Sequence, residues 1–263
     1  MKETEQQSEQ DFLAQYDPRA LPPVAVTVDI VLLTVRHGRF SVLLVRRGDH
    51  PEKGKWALPG GFVGQQEDLI DAAIRELQEE TGIEDLPGEM HLEQLRTFGE
   101  PGRDPRMRVV SVAYVAFLPD LPAPRAGSDA ALSGFWAVGE LCGPDAPDLA
   151  FDHASIIAEG IDRARAKIEY TPLAAAFLEE PFTLSDLRAI YEEVWAMPQD
   201  PSNFRRKVLR LEGFVTPVGG IAPPKGPQGG RPAELYRKGP AKILWPPLRR
   251  HDPSENGSLG EDE

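Results

Sequence analysis

The chain of 263 residues has one cysteine, Cys142, so no internal disulfide can form, and it holds no paired-cysteine spacing for zinc. That scarcity fits a reducing compartment. It also lacks an apolar run long enough for a bilayer: VAVTVDIVLLTV, residues 24–35, is short and broken by Asp29. The opening MKETEQQSEQ has no basic start leading into an apolar core, so no secretory signal is read there. The expectation is a soluble, cytoplasmic protein with no membrane partner. Positive charge is scarce as well, 29 Lys and Arg against 42 Asp and Glu, and the net charge of −13 excludes a basic coat over the whole molecule. The deficit is uneven. Residues 1–202 carry 18 basic and 35 acidic side chains, residues 203–250 carry 11 and 2, and residues 251–263 carry 0 and 5. A segment of net charge +9 therefore lies near the end of an acidic chain.

Periodicity divides the chain into four parts. Residues 1–17 read as a mobile acidic tail, 18–168 as an α/β domain, 169–245 as a small helical domain with a hairpin, and 246–263 as a disordered acidic tail. In the first domain, Val24–Val35 and Phe40–Val45 are strand-like runs joined by a hairpin at His37-Gly38. Further strands are expected near Leu92–Phe98, Val109–Leu118 and Gly134–Val138, giving a mixed sheet with a helix packed on it, and the stretch from Asp152 to Ile168 has a helical pattern.

Behind Pro59-Gly60-Gly61 comes GQQEDLIDAAIRELQEETGI, residues 64–83. It predicts a helix with Asp68 as N-cap, Asp71 three residues on, and Gly82 as a left-handed stop. Ile70, Ala73, Ile74 and Leu77 are spaced to face a core. Residues three and four apart share a face, so Glu76 and Glu80 project together with Glu79 beside them, and such like charges destabilise an isolated helix. A solvated acidic face with Arg75 pairing Glu79 is one reading. The other is a platform of hard oxygen donors for Mg²⁺ or Mn²⁺, close to a Gly-Gly turn whose backbone can approach the same ion.

The spacing Gly61, Glu67, Arg75-Glu76-Leu77, Glu79-Glu80, Gly82-Ile83 resembles the Nudix box at every fixed position. The resemblance implies a Nudix α/β/α sandwich with a mixed sheet and hydrolysis of the diphosphate in a nucleoside diphosphate linked to another moiety, ADP-ribose being the model substrate. It implies Glu76, Glu79 and Glu80 as metal ligands and catalytic residues, Gly60 as a carbonyl ligand, and Gly61, Glu67, Arg75 and Gly82 as structural support. The chemistry implied is attack of an activated water on phosphorus, assisted by the cation. Glu100 and Asp104, in GEPGRDPR, are candidates for a base outside the box. Arg46, Arg47, Arg103 and Arg106 are candidate phosphate contacts, because a guanidinium matches phosphate oxygens bidentately, and solvated loop arginines are the competing reading of each. Trp56 and Phe62 are candidates to stack a base, and core packing is the competing reading of both.

In PSNFRRKVLRLEG, Phe204, Val208 and Leu211 form one apolar helical stripe. Arg205, Arg206, Lys207 and Arg210 cover the rest, with Asn203 at the start. Preceded by TLSDLRAIYEEVWA and followed by FVTPV and AELYR, this is the pattern of a winged helix-turn-helix with Lys225 and Arg231 in the wing. A solvated basic face or a dimerisation module also fits it. The arrangement resembles the Nudix-related transcriptional regulators of NAD metabolism, which implies double-stranded DNA as a partner, contacted through Asn203, Arg205, Arg206, Lys207, Arg210 and Arg231, and a homodimer. Members of that group often carry a degraded box and bind ligand without cleaving it. The intact box here favours retained hydrolysis over a non-catalytic ADP-ribose-sensing repressor.

Overall fold

The structure, a computed structural model, describes residues 2–82, 91–118, 130–222 and 232–250. Ile83, Lys225, Arg231 and the acidic end from residue 251 lie outside them. Residues 2–15, expected as part of a mobile tail, form helix α1 (Lys2–Gln15), whose described side chains are all exposed.

The first domain runs β1 (Ala25–Arg36), β2 (Arg39–Arg47), β3 (Trp56–Ala57), β4 (Gly60–Phe62), α2 (Leu69–Thr81), β5 (His91–Phe98), β6 (Val109–Phe117), β7 (Ala130–Ala137) and α3 (His153–Tyr170). Strands β1 and β2 meet in a two-residue turn. His37 and Gly38 both take positive φ, 49° and 73°, the twist that suits a tight hairpin. The sheet order is β3-β2-β1-β6-β5, with β4 also pairing β1 and β7 pairing β2. Only the β1–β6 pair is parallel among these, so the sheet is mixed, as the sequence implied.

Helices cover both faces of the sheet, and the alternation along β1 shows how. Val28, Ile30 and Leu32 pack with Ala72, Ala73 and Leu77 of α2, whereas Val31 and Leu33 pack with Ile156, Ile157 and Ile161 of α3. A run buried on both faces reads as continuous apolar sequence. On α2 the buried stripe is Ala72, Ala73 and Leu77 with Leu69 packed beside it, so Ile70, expected in the core, turns outward and is 44% exposed. Asp68 occupies the N-cap position but accepts no capping hydrogen bond, while Gly82 closes the helix in the left-handed region at φ 65°. Truncating Leu77, fully buried beneath the acidic face, would cost about 2–5 kcal/mol and loosen the helix that carries Glu76, Glu79 and Glu80.

The second domain comprises α4 (Leu173–Ala176), β8 (Phe182–Thr183), α5 (Leu184–Trp195), α6 (Pro201–Arg210), β9 (Val215–Ala222) and β10 (Ala233–Lys238). Its small sheet has the order β8-β10-β9, so Pro217 sits on an edge strand, where its missing N–H does least harm. Thr183 and Asp186 form a reciprocal capping box that starts α5, and Asp200 caps α6 by accepting from the Asn203 N–H at 2.7 Å. One apolar core continues between the domains. Tyr191 of α5 donates its hydroxyl to the Ile168 carbonyl of α3 at 3.0 Å and lays its ring edge-on against Phe204 of α6. Glu193 of α5 accepts from the Phe40 N–H of β2 at 3.0 Å. Helix α3 extends two residues past the expected domain limit at 168. Residues 246–250, assigned by sequence to the disordered tail, pack back on it instead: Leu248 is 4% exposed and its N–H donates to the Glu169 carbonyl at 2.8 Å. Pro246-Pro247 broke the periodicity that would have marked Leu244 and Leu248 as a buried pair.

Candidate functional site

On the acidic helix, Arg75 is the hub. Its Nε and Nη2 hold the two carboxylate oxygens of Glu67 at 2.7 and 2.9 Å, Nη1 reaches Glu76 at 2.8 Å and Glu79 at 3.1 Å, and Nη2 donates to the Phe62 carbonyl at 3.2 Å. Glu67 also accepts the Gly64 N–H, and these bonds, those from Arg75 first, hold its carboxyl down to about 2. Arg75 and Glu67 thus tie the loop after β4 to the helix. Gly61 lies so close to Glu76 that a Cβ there would meet the carboxylate at 2.3 Å, so a larger residue would push that carboxylate aside.

Glu80 turns away from the other two and accepts from the Gly60 N–H at 2.9 Å. Burial, then the nearby Glu76 and Asp29, push its carboxyl up to about 8, although the Gly60 hydrogen bond and Arg47 oppose this. Burial likewise raises Glu76. A carboxyl titrating near neutrality is able to take up a proton and return it. The expected convergence of three ligands differs from what is found. Among the described residues no group of three or more His, Cys, Asp or Glu is arranged to hold a metal ion. Repulsion among the three carboxylates is relieved by Arg75, which engages Glu76 and Glu79, while Glu80 bends to the Gly60 backbone. Gly60 enters through its N–H, where the sequence suggested its carbonyl. The donor set, carboxylate oxygens of Glu76, Glu79 and Glu80 on neighbouring turns of one helix, still has the chemistry a hard divalent cation requires.

Beside Glu80 opens a cavity of about 240 Å³. Sites that bury a whole ligand run to roughly 300–1,000 Å³, so a dinucleotide-sized molecule would extend past this rim. Two pairs from distant segments, Arg46 with Arg47 and Arg103 with Arg106, all line it, as do Asp104 and Phe62. Glu76, Glu79, Glu100 and Trp56 do not line it. Arg47 stacks over Phe151 at 4.8 Å, and burial, then the neighbouring Arg106, lowers its pKa against the pull of Glu80, Asp104 and Glu52. Arg46 donates to the Gly54 carbonyl at 2.8 Å. Arg106 grips Asp104 at 2.7 Å and lies over the Phe62 ring at 5.1 Å. Asp104 is therefore an ion-pair partner held below its ordinary range by Arg106. Trp56 packs edge-on against Trp136 at 5.3 Å, which is the core reading.

Arg103 is more constrained than a loop phosphate contact. Its side chain is 6% exposed and makes two bonds to Asp152, at 2.9 and 2.6 Å, with Asp29 at 3.6 Å. Asp29 in turn accepts from the Ser111 hydroxyl and lies 3.6 Å from His153 Nε2. His153 Nδ1 accepts from the Leu58 N–H at 2.8 Å, which fixes the neutral tautomer, and burial lowers its pKa. At the other end of the molecule, Phe204, Val208 and Leu211 are buried under α6, and Arg205, Arg206 and Arg210 are exposed, as the stripe predicts. Arg206 is bonded to Asn203 at 2.8 Å, Arg205 is 3.6 Å from Glu234, and Lys207 is partly buried.

Residues 23–159 match the NUDIX domain family, and residues 174–237 match the NrtR DNA-binding winged helix domain. The chain is 37% identical over 234 residues, 88% of each chain, to the ADPR responsive transcriptional repressor NtrR of Acinetobacter baylyi. It belongs to the Nudix family, in its NrtR-type branch. The fold of this Nudix protein overlays the Shewanella oneidensis NrtR complexed with a 27mer DNA at a TM-score of 0.66 and 31% identity, covering 85% of this chain and 99% of that one. Its Nudix half is also 38% identical over 117 residues to an ADP-ribose pyrophosphatase of Methanocaldococcus jannaschii, covering 44% of this chain and 63% of that protein.

Sequence reasoning missed Ser111, Asp152 and His153, which lie outside the Nudix box. One signal was present: Asp29 interrupts an apolar strand, and a buried carboxylate requires partners. Which partners is decided by the sheet, since β1 pairs β6 in parallel and sets Thr27 opposite Ser111.

Proposed function

We propose that this NrtR-type Nudix protein binds an ADP-ribose-like nucleoside diphosphate in the arginine-lined cavity, hydrolyses its diphosphate with a divalent cation, and binds double-stranded DNA through α6 to regulate transcription. The observation that carries the reading is the gathering of Arg46, Arg47, Arg103 and Arg106 around a cavity edged by Glu80, in one chain with a basic, apolar-backed helix. The relatives support it: one responds to ADPR, one is an ADP-ribose pyrophosphatase, and one is complexed with DNA.

Glu76, Glu79 and Glu80, with the Gly60 carbonyl, would hold Mg²⁺ or Mn²⁺, which when bound neutralises diphosphate charge and activates water. Arg75 must release Glu76 and Glu79 for this. Arg46, Arg47 and Arg106, with Arg103 held by Asp152, orient the diphosphate, Phe62 offers an apolar face, and Glu79 or Glu80 orients the water. Arg205, Arg206, Lys207 and Arg210, with Asn203 and Arg231, would contact DNA, Lys207 from a partly buried position. The protein would act as a cytoplasmic homodimer, the functional units being the Nudix domain through the end of α3 and the winged-helix domain after it. No helix of the described residues is long and apolar enough to cross a membrane.

A second reading, ligand sensing with negligible turnover, draws on the way Arg75 occupies two of the three carboxylates. Incubation with ADP-ribose and Mg²⁺ separates the two. AMP release that disappears in Glu79→Gln and Glu80→Gln supports hydrolysis, tight binding without release supports sensing, and turnover that survives both substitutions refutes the site. A promoter fragment shifted by the wild type but not by an Arg205→Ala, Arg206→Ala variant supports the DNA reading. Mass in solution tests the dimer.

A further inference from the structure

The four arginines around the cavity are not equivalent. Arg103 gives its Nε and Nη2 to Asp152, and Arg106 gives its own to Asp104, so a carboxylate already answers each charge. Arg46 is exposed to solvent. Arg47 is partly buried, makes no ion pair among the described residues, and places only its Nε in a hydrogen bond, to the Pro51 carbonyl at 2.9 Å. Its two terminal nitrogens have no partner, yet neither is sealed from solvent: the sealed, unpartnered side-chain atoms among the described residues belong to Thr27, Thr34 and Ser133. After burial, the groups that act most on its charge are Arg106, Glu80 and Asp104, and all three line the same cavity, so the guanidinium faces it.

What holds Arg47 there is a ring on an unusual backbone. The guanidinium lies 4.8 Å over Phe151, whose φ of 51° is in the left-handed region that a bulky side chain rarely enters. The residues on either side of Phe151 are fixed. Ala150 donates its N–H to the Trp56 carbonyl at 2.8 Å, and Asp152 occupies the N-cap position of α3 and holds Arg103. Between them Phe151 packs with Val45, Ala57 and Ala150 and lines the cavity beside Arg47. Strained residues over-determined by their surroundings gather where a site is preorganised. A ring under the guanidinium fixes its plane, and the Nε bond fixes its rotation within that plane, which leaves Nη1 and Nη2 in one orientation for a bidentate anion.

We propose that Phe151 is a positioning residue for anion binding: its ring holds the Arg47 guanidinium flat, so that Nη1 and Nη2 donate to the diphosphate oxygens of the ligand. This rests on the nucleotide-binding reading above and deepens it, because Arg47 is the arginine of the four whose charge is partly buried with no carboxylate on it. Loss of a charge-assisted hydrogen bond changes affinity about 10- to 100-fold, and loss of the ring beneath a guanidinium about 2- to 30-fold.

The test is calorimetric titration, in metal-free buffer so that no ligand is cleaved, of wild type, Arg47→Met, Phe151→Leu, Phe151→Tyr and the Arg47→Met, Phe151→Leu double variant. The ligands are inorganic pyrophosphate and ADP-ribose, and thermal denaturation of each ligand-free protein checks folding. Leucine keeps apolar bulk and removes the ring, whereas tyrosine keeps the ring; Phe151→Met serves in place of leucine should that variant not fold. Arg47→Met is expected to weaken both ligands by about tenfold or more and Phe151→Leu to weaken both several-fold, while Phe151→Tyr binds within about twofold of wild type. The double variant is expected to bind no worse than Arg47→Met alone, which separates action through Arg47 from a general loosening of the fold. Wild-type affinity in Arg47→Met or Phe151→Leu, losses that multiply in the double variant, or tyrosine losing as much as leucine overturns the proposal. So does a leucine variant that loses ADP-ribose but keeps pyrophosphate, since the ring would then stack on the base. If the wild type binds pyrophosphate but not ADP-ribose, the nucleotide reading fails while the comparison stands on pyrophosphate; if it binds ADP-ribose alone, the comparison is read on that ligand. If it binds neither, both fall.

Discussion

Replacing Asp152 by Asn tests whether the buried pair behind the cavity holds the loop between β5 and β6 onto α3. Arg103 is 6% exposed and makes two bonds to Asp152, at 2.9 and 2.6 Å. Breaking a buried ion pair from one side costs about 3–5 kcal/mol, because the remaining charge is left uncompensated. Two features reduce that here. Asp152 is itself 25% exposed, and Asp29, 3.6 Å from the guanidinium, stays as a counter-charge. Asparagine also keeps one acceptor, which brings the expected cost to about 2 kcal/mol. For a protein of this size that corresponds to a Tm lowered by roughly 4–8 °C. Urea unfolding of wild type, Asp152→Asn, Arg103→Met and the double variant measures the pair itself. An interaction energy of at least about 1 kcal/mol is expected, and single-variant costs that add within about 0.5 kcal/mol would refute the pair as the tie.

A methyl group at Gly61 meets the Glu76 carboxylate at 2.3 Å, so Gly61→Ala should displace that side chain and, on the hydrolase function proposed above, reduce AMP release from ADP-ribose at least tenfold while the far-ultraviolet circular dichroism stays unchanged; turnover within twofold of wild type would contradict that role for Glu76. Burial lowers the pKa of His153 below its ordinary 6.5, so below that value the unfolded chain takes up a proton that the folded chain refuses. Its contribution to stability is therefore complete above pH 6.5 and lost as pH falls toward the depressed folded value. Unfolding curves from pH 8 to 5 should show this slope in the wild type and a shallower one in His153→Gln. Arg206 is exposed on α6, and if it neutralises one phosphate, Arg206→Ala should reduce the slope of log K against log salt by about 0.9 in a DNA-binding titration. An unchanged slope removes Arg206 from the contact.

What the sequence determined by itself were features whose cause is local. The Gly61-to-Gly82 spacing dictates a helix with three carboxylates on one face and a left-handed stop, because the 3.6-residue period and the φ of Gly82 need nothing from elsewhere. The stripe Phe204, Val208, Leu211 similarly decides which side of α6 is buried and which basic residues remain outside. The long-range pairings were decided only by the tertiary structure. The parallel register of β1 with β6 places Ser111 on Asp29, and the packing of α3 across that face presents His153 and Asp152 to Arg103. Arg103 was visible as a charge but not as a buried one. Arg75 was visible as a partner for Glu79, yet its grip on Glu67 and Glu76 depends on how the loop after β4 folds back on α2. Whether a polar side chain is exposed, paired or left without a partner depends on the neighbours that distant segments supply, and helical or strand periodicity carries no record of those neighbours.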